Sequence, residues 1–225
     1  MVIAIDGPAG SGKSSTAKKV ARRLNITYLD TGAMYRVITL AALREGISAD
    51  DNDALYRLVK ETAITFTGVP PQLNVFMNGE NVTDEIRGDA VTANVSDYCA
   101  PTVVRTALVE QQRVIGKGTS LVCEGRDIGT VVFPDADIKI FMTASVQERA
   151  LRRQKDFKKL GIEKSLEELE AELTERDRKD STRKNSPLQK AVDAIELDTT
   201  GMTIDGQVEW IVQQAEEKDT ITLKR

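Results

Sequence analysis

A lysine and a serine, Lys13-Ser14, close the run Asp6-Gly7-Pro8-Ala9-Gly10-Ser11-Gly12, and the spacing is G-x-x-x-x-G-K-S. Those residue types at that spacing hold a polyphosphate. The glycines let backbone N–H groups converge on the anion, the lysine ammonium reaches the β- and γ-phosphates, and the serine hydroxyl ligates Mg²⁺. Gly7, Pro8, Ala9, Gly10, Ser11, Gly12, Lys13, Ser14 and Ser15 are therefore the candidate triphosphate contacts, with Lys13 catalytic on a solvent-facing loop. A second candidate is Glu124, which ends the apolar run Ser120-Leu121-Val122-Cys123. Strand ends are where ligands of open α/β sheets bind, so Glu124 either holds a Mg²⁺-bound water or is a solvent-facing carboxylate. The third set is cationic: Arg36, Arg105, Arg126 and the run Arg176, Arg178 and Arg183. Phosphoryl transfer between two anions needs cations on both substrates and on the group in flight. Arg176, Asp180 and Arg183 recur at i, i+4 and i+7, one helix face able to grip a phosphate and a sugar hydroxyl, or a solvated face of ion pairs.

These groups need elements to position them. Val2-Ile3-Ala4-Ile5 is short and β-branched enough for a buried parallel strand, and Lys13 to Leu24 repeats apolar residues with helical period. Strand, glycine-rich turn and helix are the setting a phosphate-binding loop requires. The pattern continues with a strand Ile26–Leu29, a helix from about Ala33 to Arg44 stopped by Gly46, and a helix from Asp51 to Thr62. The period then shortens. Ile64–Thr67 and Leu73–Met77, parted by Gly68 and Pro70-Pro71, and a hairpin at Asn78-Gly79 toward Val82 predict a small antiparallel insert. Helices resume from about Asp84 to Ala100, and Pro101 opens a long one to about Gly116. Core strands follow at Ser120–Glu124, Ile138–Met142 and Ala194–Leu197. Between the last two lie charged helices from Ser145 to Leu160 and from Ser165 to about Arg183, the second opened by the capping box Ser165-x-x-Glu168. A helix from Thr203 to Glu217 closes the pattern. The expected fold class is α/β: a P-loop NTPase-type parallel sheet with helices on both faces, a nucleotide-binding subdomain with a small antiparallel insert, and a helical lid.

Composition narrows the chemistry. The 225 residues are 40% hydrophobic and 29% charged, ordinary for a globular chain. A net charge of −4 speaks against a nucleic-acid binder. With no histidine and two separated cysteines, Cys99 and Cys123, a zinc site and a Ser–His or Cys–His nucleophile are set aside. No apolar run is long enough to span a membrane, no signal peptide is expected, and the cytoplasm is the expected compartment. A GTPase reading lacks its Asn-Lys-x-Asp guanine reader, and a motor ATPase runs longer. A kinase and a nucleotide-gated regulator remain.

Ile5-Asp6-Gly7-Pro8, Leu29 to Arg36, Glu124 to Thr130, and Arg176-Asp177-Arg178-Lys179-Asp180 with Ser186-Pro187-Leu188 beyond it resemble, in that order, the bacterial cytidylate kinase family. The resemblance runs to about residue 215. It implies ATP-dependent, Mg²⁺-assisted phosphorylation of CMP and dCMP. A monomer is expected, with neither nucleic acid nor membrane as partner. The resemblance implies a core (1–32, 102–149 and 184–225), a monophosphate-binding subdomain (33–101) and a mobile lid (150–183). By the same resemblance Thr31, Arg105 and Asp127 face the cytosine, and Ser96, Arg176 and Asp180 serve the ribose. Arg36, Arg126 and Arg183 hold the phosphate, Arg126 and Arg183 with catalytic weight. Arg149, Arg152 and above all Arg153 are offered to the ATP phosphates. Thr31 stands where many relatives carry serine. The chemistry of the base agrees independently: cytosine presents a 4-amino donor, for which a carboxylate at Asp127 is the natural acceptor, whereas uracil presents a carbonyl. A kinase acting on UMP is the nearest alternative.

Overall fold

The computed structural model describes residues 1–70, 72–159 and 161–222. Pro71 and Leu160, named in the reading above, lie outside the described residues. The chain divides into two compact units, residues 1–28 with 120–225 and residues 29–119.

The first unit is built on a parallel sheet. β1 (Val2–Asp6) lies at its centre, with Ile3, Ala4 and Ile5 wholly buried, as a strand covered on both faces must be. It pairs in parallel with β6 (Leu121–Gly125) and β7 (Ile138–Thr143), and β7 pairs in parallel with β8 (Ile195–Asp198). With β2 (Thr27–Asp30), where the units divide, the strand order is β2-β6-β1-β7-β8. In such an order the crevice for ligand opens beside β1, at the C-terminal strand ends. α1 (Lys13–Leu24) turns Thr16, Ala17, Val20 and Ala21 inward and packs on β6 and on α8 (Ile204–Thr222). α6 (Val146–Lys159) and α7 (Leu166–Thr182) form an antiparallel charged pair, and the Ser165–Glu168 capping box opens α7 as expected.

The second unit holds α2 (Thr31–Glu45), α3 (Asn52–Glu61), α4 (Asp89–Tyr98), α5 (Thr102–Gly116) and the antiparallel sheet β3 (Ile64–Thr67), β4 (Asn74–Met77) and β5 (Glu80–Asn81). α5, assigned above to the core, belongs here because it packs on α2 and α3. α2 starts two residues earlier than its apolar period predicts, because the Asp30 carboxylate accepts the Ala33 N–H and caps it. The helical run from Asp84 breaks into a 3₁₀ turn at Glu85–Arg87 and α4, since Gly88 between them is extended. Pro101 is the extended residue before α5 rather than its first turn.

Gln112 on α5 is fully buried, and neither amide atom has a hydrogen-bond partner among the described residues. A buried unpaired amide costs about 1–3 kcal/mol. Gln112→Met is therefore expected to raise the thermal midpoint by several degrees, measured by circular dichroism. A lowered midpoint would show that the amide is satisfied after all. Among the described residues no helix is long and apolar enough to cross a membrane.

Candidate active site

In the first unit, the loop between β1 and α1 is shaped by close approaches that only glycine permits. Gly7 has φ 147°, and a Cβ there would stand 2.1 Å from the Met142 carbonyl oxygen. Gly10 has φ 77° and lies against the Arg149 Cβ. Lys13, expected on a solvent-facing loop, is instead buried and folded back, donating to the Pro8 carbonyl at 2.7 Å and the Ser11 hydroxyl at 3.3 Å. Burial, with the Arg126 charge beside it, pushes the Lys13 ammonium well below the ordinary lysine pKa, against the opposing pull of Glu124 and Asp6. Ser14 and Ser15 are exposed on the first turn of α1.

Two carboxylates close this end of the sheet. Glu124 is buried, so the solvent-facing reading fails, and it accepts from the Tyr28 hydroxyl at 3.0 Å. Asp6 was not foreseen as a site residue. Its carboxylate accepts the N–H groups of Ile128 (2.8 Å) and Gly129 (2.7 Å), and burial pushes its pKa up to about 6 despite those bonds. It thereby fixes the turn that carries Arg126 and Asp127, a turn that winds as a single π-helical segment, Ile128–Val132. An acidic residue ending an apolar strand was the available signal.

Beyond that turn the structure gathers Arg126, Asp127, Asp180 and Arg183. Arg126 Nε donates to Asp180 Oδ2 at 2.8 Å; Arg183 lies 3.8 Å from both Asp180 and Asp127. Burial opposes the Arg126 charge, but Asp180, Glu124 and Asp177 outweigh it and hold the guanidinium firmly protonated. Burial likewise opposes the Asp180 charge, yet Arg126, Arg176 and Arg183 keep its carboxyl below the usual range. This is no solvated helix face: Asp180 is 6% exposed. α7 ends at Thr182, so Arg183 is extended and its Nε reaches back to the Ser186 carbonyl. Arg178, counted with this run, points elsewhere and pairs with Glu175 in solvent.

α6 supplies the arginines expected near a triphosphate, with differing roles. Arg149 is buried, donates to the Ala9 carbonyl at 3.0 Å and pairs with Asp177 at 2.6 Å. Arg152 donates to the hydroxyl and carbonyl of Thr199 at 3.1 and 2.6 Å, and the Thr199 hydroxyl lies 2.9 Å from the Ser11 carbonyl. Arg153 stacks over the Phe157 ring at 4.9 Å. Gln207, on α8, accepts from Thr16 at 2.6 Å. Thr199 and Gln207 had no local signal, standing some 190 residues along the chain from the loop they brace.

In the second unit, Thr31 is buried on the first turn of α2. Arg36 donates to the Ile86 carbonyl and the Thr92 hydroxyl, both at 3.0 Å. Ser96 is one helical turn beyond Thr92 on α4. Arg105 is buried, donates to the Cys99 carbonyl and lies 5.1 Å from the Tyr35 ring centre. Arg36 and Arg105 thus meet neighbouring residues of this unit.

A family profile described as cytidylate kinase matches residues 3–217. A cytidylate kinase of Ligilactobacillus salivarius is 50% identical over 217 residues, covering 96% of this chain and 97% of that one. A bifunctional pantoate ligase/cytidylate kinase of Trichormus variabilis is 52% identical over 221 residues, 96% of this chain. The chain spans only 41% of that longer relative. Among solved structures, an uncharacterized protein from Eubacterium ventriosum shares the fold at TM-score 0.52 and 14% identity, over 96% of this chain and 98% of the other.

Proposed function

The chain belongs to the cytidylate kinase family, and on that premise we propose that it transfers the γ-phosphoryl group of ATP to CMP and dCMP, giving CDP, dCDP and ADP. The observation that carries the reading is the set Arg126, Asp127, Asp180 and Arg183, its two carboxylates buried and its two arginines partly so, cationic enough for a phosphate and acidic enough for an amino group and a sugar hydroxyl. Asp127 accepts from the cytosine 4-amino group, and by the family resemblance Thr31 and Arg105 also serve the base. Asp180, Arg176 and Ser96 take the ribose. Arg126, Arg183 and Arg36 take the monophosphate.

No general base is required, because the attacking phosphate oxygen is already ionised at neutral pH. Catalysis is alignment of two polyanions, neutralisation of charge on the group in flight, and exclusion of water. The loop N–H groups and Lys13 take the donor phosphates, and Arg153, stacked on Phe157, is offered to them from α6. Serine hydroxyl and carboxylate are hard oxygen donors suited to Mg²⁺, which takes few protein ligands and completes its shell with water and phosphate. Ser14 would ligate the ion and Glu124 would hold one of its waters; the ion would supply charge neutralisation between the β- and γ-phosphates.

Residues 33–101 are read as the monophosphate-binding part and 150–183 as a lid. A single chain acting in the cytoplasm completes the proposal. Its support is that both cysteines are free, and that the exposed large apolar side chains are dispersed: Tyr56 on α3, the adjacent Val114 and Ile115 on α5, Ile195 on β8, and Val69 and Val192 outside helices and strands.

A panel of nucleoside monophosphates with ATP and Mg²⁺, read as ADP release, tests the reading; CMP and dCMP are expected to lead. Fastest turnover on UMP would shift the substrate, and ADP release indifferent to any monophosphate would remove the kinase. Within CMP kinase activity, Asp127→Asn is expected to cut the CMP-to-UMP ratio of kcat/KM by about 10- to 100-fold, because an amide rotates to donate to uracil's carbonyl. Competition kinetics that leave the ratio unchanged would take Asp127 out of base recognition.

A further inference from the structure

We propose that Arg149 is a positioning residue that sets the phosphate loop through the loop's own backbone, with Asp177 as its anchor, rather than a ligand of ATP. The inference rests on the reading that this loop binds ATP.

Arg149 stands on the first turn of α6 with its side chain 4% exposed. One guanidinium fastens three segments. Nη1 donates to the Ala9 carbonyl at 3.0 Å and meets Asp177 Oδ2 on α7 at 2.6 Å, and Nε donates to the Ala144 carbonyl just past β7 at 3.1 Å. The contact continues along the stem: a Cβ on Gly10 would stand 3.1 Å from the Arg149 Cβ. Around it Ala9 packs with Ala150, Leu169 and Leu173, flanked by Phe157 and Leu166. A small apolar cluster therefore seats the loop on the root of the α6–α7 pair, and the ion pair crosses the same seam.

The consequence for the loop follows from peptide geometry. In a planar trans peptide the C=O and N–H point in opposite directions. Drawing the Ala9 carbonyl toward Arg149 turns the Gly10 N–H away from α6, as a donor toward a phosphate must be turned. Gly10 has no side chain to resist that rotation, and at φ 77° it needs none. Arg149 thus pre-aims a donor it does not itself replace. Asp177 matters for the same reason: a carboxylate beside a phosphate site would repel the ligand unless it held a cation in place. Its neighbours on α7, Arg176 and Asp180, belong to the acceptor side, so one ion pair, buried at its arginine end, ties the acceptor helix to the donor loop.

The two roles differ in what Asp177 does. A direct ligand would be released by Asp177→Asn, and removing a negative charge near the loop would leave ATP binding unchanged or improve it. A positioning residue would lose its anchor. The experiment measures equilibrium binding of a fluorescent ATP analogue, together with kcat and KM for ATP, on the wild type, Asp177→Asn, Arg149→Met, Arg149→Lys and the double variant Arg149→Met/Asp177→Asn. Asp177→Asn and Arg149→Met are each expected to weaken ATP binding about tenfold, the size of one lost charge-assisted hydrogen bond, with kcat reduced much less. Arg149→Lys should not rescue, because an ammonium lacks the fork that spans Ala9, Ala144 and Asp177. The double variant should bind as Arg149→Met does, the two residues acting through one contact. Thermal melts identify any variant that fails to fold, and Arg149→Lys, which keeps the charge, then decides in its place. Wild-type affinity in Asp177→Asn alongside a loss in Arg149→Met would make Arg149 a phosphate ligand and overturn the proposal. Unchanged binding in all variants would overturn it too, leaving the pair a mere fastening. A wild type that bound no ATP would overturn the functional reading itself, a result none of the variant outcomes imitates.

Discussion

Lys13→Ala is expected to reduce kcat by about a thousandfold or more while the protein melts no lower than the wild type. The two halves of that result have different causes. On the proposed reading turnover falls because the Lys13 ammonium is the loop's point charge on the transferring phosphoryl group. Stability does not fall because the folded protein gains little from that charge. Lys13 is buried and donates to the Pro8 carbonyl and the Ser11 hydroxyl, and the pull of Glu124 and Asp6 does not offset its burial. Its pKa in the folded state is depressed by burial and by Arg126. A depressed lysine gives stability that is present above its unfolded pKa and lost as pH falls through the folded one, so at neutral pH this lysine is a burden that alanine removes. The gap in melting temperature between variant and wild type should therefore widen as pH is lowered from about 10 toward 7. Steady-state rates and calorimetry across that range test both halves. Turnover within a few-fold of wild type would unseat Lys13 as the donor-side cation. A variant that melts well below the wild type would show that the lysine is structural.

What the sequence could disclose follows from how local each feature is. The G-x-x-x-x-G-K-S run sits within one turn between a strand and a helix, and its context was readable because periodicity changes from strand-like to helical inside twenty residues. The antiparallel insert was legible for the same reason, and β3, β4 and β5 fall where Gly68, Asn78-Gly79 and the alternating runs place them. Boundaries failed where a side chain overrides propensity. Asp30 captures the Ala33 N–H and pulls the start of α2 back onto Thr31, putting a candidate base contact on a helix turn instead of a loop. The bracing of the phosphate loop was illegible altogether. Thr199 and Gln207 reach Ser11 and Thr16 from the far end of the chain, and nothing local to Leu197-Asp198-Thr199-Thr200 announces a partner. The arginine run was half legible. Helical spacing joined Arg176, Asp180 and Arg183, but only tertiary packing could separate buried Asp180 from exposed Arg178 and bring Arg126, from the end of β6, to Asp180.

Arg126→Met is the second change expected to have a large effect, lowering kcat for CMP by about a thousandfold with ATP binding altered only a few-fold. Arg126 follows β6 directly, and its charge is felt at Lys13 on one side while its Nε bonds Asp180 on the other. On the proposed reading a cation between the donor loop and the acceptor network stands where charge would spread over the phosphoryl group in flight, so its contribution would be greatest in the transition state. Arg126→Lys should recover little, since a lysine cannot bond Asp180 and a phosphate oxygen from one planar group. The variant should still fold, because Arg183 and Arg176 continue to face the Asp180 carboxylate. The acid limb of its stability should nonetheless flatten. Asp180 has a folded pKa below its unfolded value, so its contribution is present above the unfolded pKa and is lost as pH falls, and a variant without Arg126 has less of it to lose. Single-turnover rates at saturating ATP and CMP separate chemistry from binding. If they stay within fivefold of the wild type, Arg126 serves only to hold Asp180, and the charge on the transferring group is met by Lys13 and Mg²⁺ alone.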